Sequence, residues 1–235
     1  MVRGAVRALF AIAVTCIVLA KPALSYADDT TSYVSTRNWA GYLAQNAYYT
    51  GVGALFQTPS ADQIQRLGAI GSWIGIGGAD SDDLIQAGVG VLDRGGVVTY
   101  SAWYEMLPAQ AQTIPMTIGG GDWVRVDIHE VTFNLWQITI IDGTQVFQRQ
   151  FPYASSHSSA EWIVEQPSLD DGREIPLQSA NSANFAQMTA ITNGHNASPA
   201  QLSPKELVLV GPRDQVRALP SAIGADGASF SVAVR

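Results

Sequence analysis

The stretch DSDDLIQAGVGV, residues 80–91, indicates the fold class because an acidic turn leads directly into a run that suits a β-strand. From Leu84 onward, apolar residues either alternate with small ones or follow one another without a break, as in a mostly buried strand. Gln86 is the exception in this run. A neutral amide does not shuttle protons at ordinary pH, but it can hold a water molecule and donate a hydrogen bond to a developing oxyanion. The stretch therefore predicts a strand that carries one functional amide.

Strand-like segments of the same kind follow one another along the chain after residue 32, and clusters of Gly, Pro, Asp, Asn and Ser separate them. The Asp142-Gly143 pair is typical of a hairpin turn. Residues 60–70 give the only hint of a helical turn, and residues 167–183 form the longest loop-like segment. Roughly a dozen short strands at this spacing predict an all-β fold, an antiparallel two-sheet β-sandwich of the jelly-roll or concanavalin-like type.

The N-terminus predicts export. Residues 1–27 combine Arg3 and Arg7, a short apolar stretch, and small residues before a cleavage point after Ala27, which are the features of a signal peptide. The apolar stretch is too short to span a bilayer comfortably. We therefore expect a secreted, extracellular protein with no membrane association after cleavage. Residues 28–36 would form a short N-terminal segment or propeptide remnant, and residues 37–235 a single β-sandwich domain.

Charge and cysteine content narrow the possible partners. The only cysteine, Cys16, lies within residues 1–27, so no disulfide is expected in the mature chain. Removing those residues takes away three basic side chains and no acidic one, which leaves ten basic and twenty acidic residues and a net charge of −10. Such a surface repels nucleic acid and anionic membranes and suits an acidic medium. We expect a monomer that binds no nucleic acid.

Strand periodicity separates two faces. Alternate residues of a strand point to opposite sides, so Glu161 and Glu165 share one face of their segment while Trp162 lies on the other. By the same rule Trp103 and Glu105 share a face, and Trp73 lies beside glycines that leave a shallow trough. Large exposed aromatic residues usually mark a binding site. A face with tryptophans, glycines and carboxylates is therefore expected to be a concave, substrate-facing surface.

Several common catalytic sites are not supported by the sequence. There is no Gly-x-Ser-x-Gly motif, no Asp-Thr-Gly or Asp-Ser-Gly motif, and no histidine pair with metal-ligand spacing. The acidic residues Asp80, Asp82 and Asp83 are more typical of a solvated loop than of a cation site. We therefore expect neither a metal ion nor another cofactor.

Five motifs occur in a fixed order: NWAGY (38–42), WIGIGG (73–78), LIQAG (84–88), YSAWYE (100–105) and AEWIVE (160–165). Each is weak alone, but the ordered series resembles the glutamic peptidases, the eqolisin family of acid proteases. The resemblance covers residues 36–235 and is strong up to residue 168. In having no expected disulfide, the chain resembles the bacterial members of the family. The resemblance implies a sandwich of two antiparallel sheets and an endopeptidase that acts on protein or peptide substrates without a cofactor.

The resemblance also implies roles for individual residues. Gln86 and Glu161 match the catalytic pair, in which an ionised glutamate with a pKa near its usual ~4.3 takes a proton from water and the glutamine amide donates to the oxyanion. The residues that match substrate-binding positions in the cleft are Trp39, Trp73, Trp103 and Glu105. Gly77 and Ser101 depart from the pattern, because fungal members usually carry aspartates there.

A second class of function remains open at this point. A jelly roll with tryptophans and two carboxylates on a concave face also describes a glycoside hydrolase or a lectin. Glu105 and Glu161 would then be the acid and the nucleophile, the tryptophans would stack on sugars, and Gln86 would bind a hydroxyl group.

Overall fold

The computed structural model describes residues 33–60, 68–168, 174–178 and 182–235. Strands account for nearly all of its regular structure. The elements are β1 (Tyr33–Thr36), β2 (Trp39–Gln45), β3 (Tyr49–Gln57), β4 (Gly68–Gly77), β5 (Leu84–Arg94), β6 (Val97–Met106), β7 (Gln112–Thr113), β8 (Trp123–Thr132), β9 (Leu135–Asp142), β10 (Gln145–Pro152), β11 (Ser159–Glu165), β12 (Ala183–Thr192), β13 (His195–Ala197), α1 (Pro199–Leu202), β14 (Lys205–Val210), β15 (Val216–Pro220) and β16 (Phe230–Val234).

The strands form one hydrogen-bonded ladder that folds over into two layers. Its order is β10-β9-β8-β3-β12-β16-β15-β14-β2-β11-β4-β5-β6-β7. Neighbours along this path are antiparallel, and β1 adds a parallel pairing to β14. β3 packs across β4 and β11, and β8 packs across β4 and β5, so the two halves of the ladder lie face to face. The predicted antiparallel β-sandwich is confirmed.

The hairpin between β5 and β6 sets the register that matters for the site. Gly95 and Gly96 form its turn with positive φ angles of 69° and 87°, a conformation that glycine adopts without steric cost. Gln86 lies nine residues before Gly95, and Glu105 lies nine residues after Gly96. The two are therefore paired directly across the hairpin. At the predicted Asp142-Gly143 turn, β9 and β10 likewise pair from Asp142 with Gln145 onward.

The main core fills the space between the two layers. It is built from alternate residues of the facing strands, including Ile74, Ala87 and Trp162 on one side and Phe56 and Ile138 on the other. The opposite face of the β2-β11-β4-β5-β6 layer carries a second apolar cluster. Buried polar and charged residues lie on the same face beside this cluster. This second face contains all the residues predicted for the site.

Some sequence expectations fall on segments outside the described residues. These are the signal peptide, most of segment 28–36, the hint of a helical turn within 60–70, and parts of the long loop 167–183. Tyr33–Thr36, which the sequence grouped with the N-terminal segment, forms β1 and pairs with β14. Within the part of the chain that the structure describes, no helix is long and apolar enough to cross a membrane.

Candidate active site

Four residues form a row across four neighbouring strands. Glu161 of β11 pairs with Gly75 of β4, Gly75 pairs with Gln86 of β5, and Gln86 pairs with Glu105 of β6. Directly paired residues point to the same face of a sheet. The register therefore brings the two predicted catalytic residues onto one face, two strand spacings or about 10 Å apart at their backbones.

Gly75 provides the space between the catalytic candidates. Since it has no side chain, Gln86 and Glu161 face each other across bare backbone. A Cβ atom at this position would lie 3.2 Å from Oε2 of Glu161 and 2.9 Å from a methyl group of Leu84. Even one methyl group would therefore crowd the space between the amide and the carboxyl group.

Gln86 is oriented by Glu105. Its Nε2 donates a hydrogen bond of 2.6 Å to Oε2 of Glu105, while its Oε1 has no hydrogen-bond partner among the described residues. The backbone of Ala111, in the connection between β6 and β7, also bonds to Glu105. The amide is thus fixed at one end by Glu105, which leaves its second N–H and its oxygen available toward Gly75 and Glu161.

The three predicted tryptophans lie on the same face as the row. Trp73 and Trp103 both pair with Gly88 of β5, and Trp39 contacts Trp73 edge to face with 4.9 Å between ring centroids. The Nε1 atom of Trp73 donates a hydrogen bond of 2.7 Å to Glu165. Glu165 therefore anchors the tryptophan next to the row.

Asn38 supports the same carboxyl group, since its Nδ2 donates a hydrogen bond of 3.2 Å to Glu165. Sequence analysis placed Glu165 on the correct face but gave it no role, and it overlooked Asn38. The sequence signal for Asn38 was its position immediately before Trp39, at the start of β2. Because β2 runs beside β11 and Trp39 pairs with Glu165, Asn38 lies close to the Glu165 carboxyl group.

The expected open cleft is not what the structure shows. Gln86 and Glu161 are 0% exposed, and Trp39, Trp73 and Trp103 are at most 1% exposed. Side chains from the connecting segments pack with the tryptophans in the second apolar cluster, among them Ala79, Ala111 and Ile175. The prediction of a shared face is right, and the prediction of exposed aromatic residues is wrong, because loop contacts bury this face as thoroughly as the core.

Burial also changes the acid–base properties expected for the site. It raises the pKa of Glu161 well above its usual value, although the nearby Ser159 hydroxyl lowers it and the negative charge of Asp83 raises it further. The expectation of an unperturbed pKa was therefore wrong. Burial likewise raises the pKa of Glu105 to about 8, with the charge of Glu165 adding to the effect. Burial also raises the pKa of Glu165 to about 7, although the hydrogen bonds that Glu165 accepts lower it.

Buried polar atoms without hydrogen-bond partners concentrate on this face. Among the described residues they include Oε1 of Gln86, both carboxyl oxygens of Glu161, Oγ of Ser159, and Nε1 of Trp39 and Trp103. The Trp39 indole lies close enough to Glu165 to lower its pKa, but it makes no hydrogen bond of good geometry. Folded proteins rarely leave buried polar groups unpaired except where a ligand or water binds. These atoms make the face a candidate binding site.

Other candidate sites in the described part of the chain are weaker. No group of three or more histidine, cysteine, aspartate or glutamate side chains there is arranged to hold a metal ion. A cavity of about 370 Å³ lies among Arg37, Gln166, Glu174, Gly211 and Arg217. None of the predicted site residues lines it.

Comparison with protein families gives one match over most of the chain. Residues 37–215 match the sequence profile of the peptidase A4 family. No curated protein sequence matches the chain.

Solved structures with the same fold include three peptidases. Scytalido-glutamic peptidase, solved with a transition-state analogue inhibitor, is 21% identical with a TM-score of 0.72, and the match covers 85% of this chain and 98% of that one. SCP-B, a member of the eqolisin family solved with the tripeptide Ala-Ile-His, is 20% identical with a TM-score of 0.70 over the same shares. Aspergilloglutamic peptidase from Aspergillus niger is 23% identical with a TM-score of 0.64, over 71% of this chain and 99% of that one.

Proposed function

The chain belongs to the peptidase A4 family of glutamic peptidases, the eqolisins, and on this basis we propose that it is a secreted acid endopeptidase in which Glu161 and Gln86 activate water. Its substrates are proteins or peptides. Trp39, Trp73 and Trp103 bind the substrate beside the catalytic row, and Glu105 orients Gln86. The unpaired polar atoms on this face support the proposal, because the Gln86 amide and the Glu161 carboxyl group lie on either side of Gly75 and both have buried oxygens without a hydrogen-bond partner among the described residues.

The reaction needs only these groups. Ionised Glu161 takes a proton from a water held between it and Gln86, and the water oxygen attacks the peptide carbonyl carbon. The free N–H of Gln86 donates a hydrogen bond to the resulting oxyanion. Glu161, now protonated, gives its proton to the leaving amine. Because burial raises the pKa of Glu161, its carboxylate is a stronger base than an exposed one, and its neutral form suits the buried site.

Two ionisations bracket the proposed activity. Glu161 has to be ionised to start the reaction, so the rate rises with pH through its pKa. Glu105 has to stay neutral, because an ionised carboxylate would add a second negative charge near the oxyanion. Because the pKa of Glu105 is raised to about 8 and that of Glu165 to about 7, we expect the falling limb near neutrality and the maximum below pH 7.

The glycoside hydrolase alternative is not supported by the family match. In addition, Gln86 stands between Glu105 and Glu161 in the row, in the space that a sugar would need between two glycosidase carboxyl groups. In this chain Glu105 instead bonds to Gln86.

The test compares single variants at the two catalytic positions. Glu161→Gln and Gln86→Ala should each lower kcat on a denatured protein at acid pH by roughly 10²–10³ or more. Gln45→Ala, which removes an amide at the end of β2 that bonds to Asp80, is the matched control and should keep activity. Full activity of either catalytic variant, or activity on a β-glucan but not on protein, would contradict the proposal.

Secretion and the monomeric state are tested separately. Expression of the full chain in a secreting host, followed by N-terminal sequencing of the product, should show cleavage after Ala27. Light scattering on that product should give the mass of a monomer. A product that stays with the cell membrane would contradict the secreted assignment.

A further inference from the structure

Asp83 lies over Gly77, at the end of β4, the strand between those that carry Glu161 and Gln86. Gly77 has a φ of +88°, and a Cβ atom built on it would lie 2.6 Å from Oδ2 of Asp83. The Asp83 carboxyl group thus occupies the place where a side chain at position 77 would begin. Asp83 itself comes from the loop between β4 and β5, one residue before β5 starts.

Hydrogen bonds hold this carboxyl group in place and keep it ionised. Oδ2 of Asp83 accepts a bond of 2.7 Å from the backbone N–H of Ser156 and one of 3.1 Å from Oγ of Ser155. Burial alone would raise the pKa of Asp83, but the bonds from Ser156, Ser81 and Ser155 outweigh it and lower the pKa. Asp83 therefore keeps its negative charge to a lower pH than an aspartate without these bonds would.

The charge of Asp83 lies close to Glu161. Gly77 and Gly75 are two residues apart on one strand, so their side-chain positions lie on the same face about 7 Å apart. Asp83 covers the first position, and Oε2 of Glu161 is 3.2 Å from a Cβ built on the second. Since Glu161 is fully buried and Asp83 is partly buried, their repulsion is screened less than that between two surface charges. Asp83 also raises the pKa of Glu161 through this repulsion.

The other groups around Glu161 do not supply an equivalent charge. β5 contributes the neutral Gln86, β2 contributes Leu43, and β11 contributes Ser159 on the same face. The remaining titratable groups near this end are Glu105 on β6, Glu165 on β11, Tyr49 on β3, Tyr153 before β11 and the exposed Lys205 on β14.

We propose that Asp83 is a positioning residue for the catalytic pair, whose negative charge above Gly77 acts on the Glu161 carboxyl group above the neighbouring side-chain position, Gly75. The inference rests on the proposed function, because it assigns Asp83 an effect on the catalytic base. The glycine at position 77 therefore does not leave this end of the site without an acidic group.

The experiment measures the pH dependence of kcat/KM on an uncharged peptide for Asp83→Asn and Asp80→Asn. Asparagine retains an oxygen that can accept the Ser156 N–H. Removing the like charge lowers the pKa of Glu161, so the limb of the profile that Glu161 sets should move to lower pH by roughly 0.5–1.5 units. Asp80 lies in the same loop, is exposed and bonds to Gln45. Asp80→Asn removes the same formal charge and should move the limb by less than about 0.2 units.

A direct titration separates this effect from a structural one. The carbon-13 resonance of the Glu161 carboxyl group, assigned with Glu161→Gln, should titrate at lower pH in Asp83→Asn than in the wild-type chain. A purely structural role would lower the melting temperature without moving this titration. If Asp83→Asn does not fold, Ser155→Ala removes one bond that keeps Asp83 ionised and should give a smaller shift in the same direction.

The outcomes distinguish this inference from the proposed function. An unchanged limb in Asp83→Asn, or an equal shift in Asp80→Asn, would overturn the role of Asp83 while leaving the catalytic pair intact. Full activity in Glu161→Gln would instead overturn the proposed function, whatever the Asp83 variant shows.

Discussion

The two faces of the β2-β11-β4-β5-β6 layer are equally buried and differ in how their polar atoms are satisfied. Trp162, on the face toward the second layer, is 0% exposed and donates a hydrogen bond of 3.1 Å from Nε1 to the carbonyl oxygen of Gly53. Trp103, on the opposite face, is also 0% exposed, but its Nε1 has no partner among the described residues. Two tryptophans that burial alone cannot distinguish therefore belong to different kinds of surface.

The same difference extends to the charged residues. The cluster between the layers consists of apolar side chains, whereas the opposite face carries Glu105, Glu161 and Glu165. Burying three carboxyl groups on one face costs free energy, which appears here as raised pKa values. Such a cost is typical of a functional site, since a face used only for packing would be more stable with apolar residues.

The largest effect should come from filling the gap on the catalytic face. Gly75→Ala places a methyl group 3.2 Å from Oε2 of Glu161 and between it and Gln86. A displacement of about 1 Å in catalytic geometry can cost roughly 10²-fold in rate, so kcat should fall by about that factor. Gly71→Ala is the matched control on the same strand and face, because its Cβ would meet only a Trp73 atom at 3.8 Å.

Steady-state kinetics of the two purified variants, with thermal unfolding measured in parallel, decide this prediction. The Leu84 and Trp73 atoms near a Cβ at Gly75 are side-chain ends, so both variants should fold. Equal activities of Gly75→Ala and Gly71→Ala would mean that the space over Gly75 is not where the reaction occurs.

Much of this geometry is encoded locally in the sequence. The alternation within AEWIVE separates Glu161 and Glu165 from Trp162, and the structure confirms that division. The pairing of Gln86 with Glu105 was also readable, since a two-residue turn at Gly95-Gly96 places both nine residues from the turn. Neither needs information from a distant part of the chain.

The features that sequence analysis missed depend on contacts between distant segments. The face is buried because Ala79, Ala111 and Ile175 pack on it from separate connections, which no strand pattern reports. Asp83 looked like part of a solvated acidic loop. Its role depends on hydrogen bonds from serines more than 70 residues away in the sequence and on the lack of a side chain at Gly77. The raised pKa values follow from that burial and were likewise not predictable from residue type.

The next effect concerns stability and pH. The pKa of Glu105 is raised to about 8 and that of Glu165 to about 7, from usual values of 4.5. The stabilisation that these two protonated carboxyl groups give the folded protein is therefore fully present below about pH 4.5 and is lost as the pH rises through 7 and 8. The free energy of unfolding should fall between about pH 4.5 and pH 8 by several kcal/mol.

Glu105→Gln should flatten this slope, because the variant has no proton to lose at that position. Glu174→Gln, which changes an exposed carboxyl group outside the face, is the control and should keep the wild-type slope. Urea unfolding followed by tryptophan fluorescence at several pH values gives both slopes. A stability that rises steadily from pH 4.5 to 8 would show that these carboxyl groups are ionised in the folded protein.

The smallest effect tests the two tryptophans that define the comparison. Trp162→Phe and Trp103→Phe remove similar volumes from equally buried positions, but only the first removes a hydrogen bond, that to Gly53. Leaving a buried carbonyl oxygen unpaired costs roughly 1–3 kcal/mol, so Trp162→Phe should be the less stable variant by about that amount. Trp103→Phe should instead raise KM about 2- to 10-fold, the effect of losing one neutral hydrogen bond of about 0.5–1.5 kcal/mol to the substrate. Urea unfolding and peptide kinetics on both proteins give the two differences. If Trp103→Phe lost as much stability as Trp162→Phe and kept its KM, the unpaired indole would be a packing residue, and the substrate path would have to avoid this part of the face.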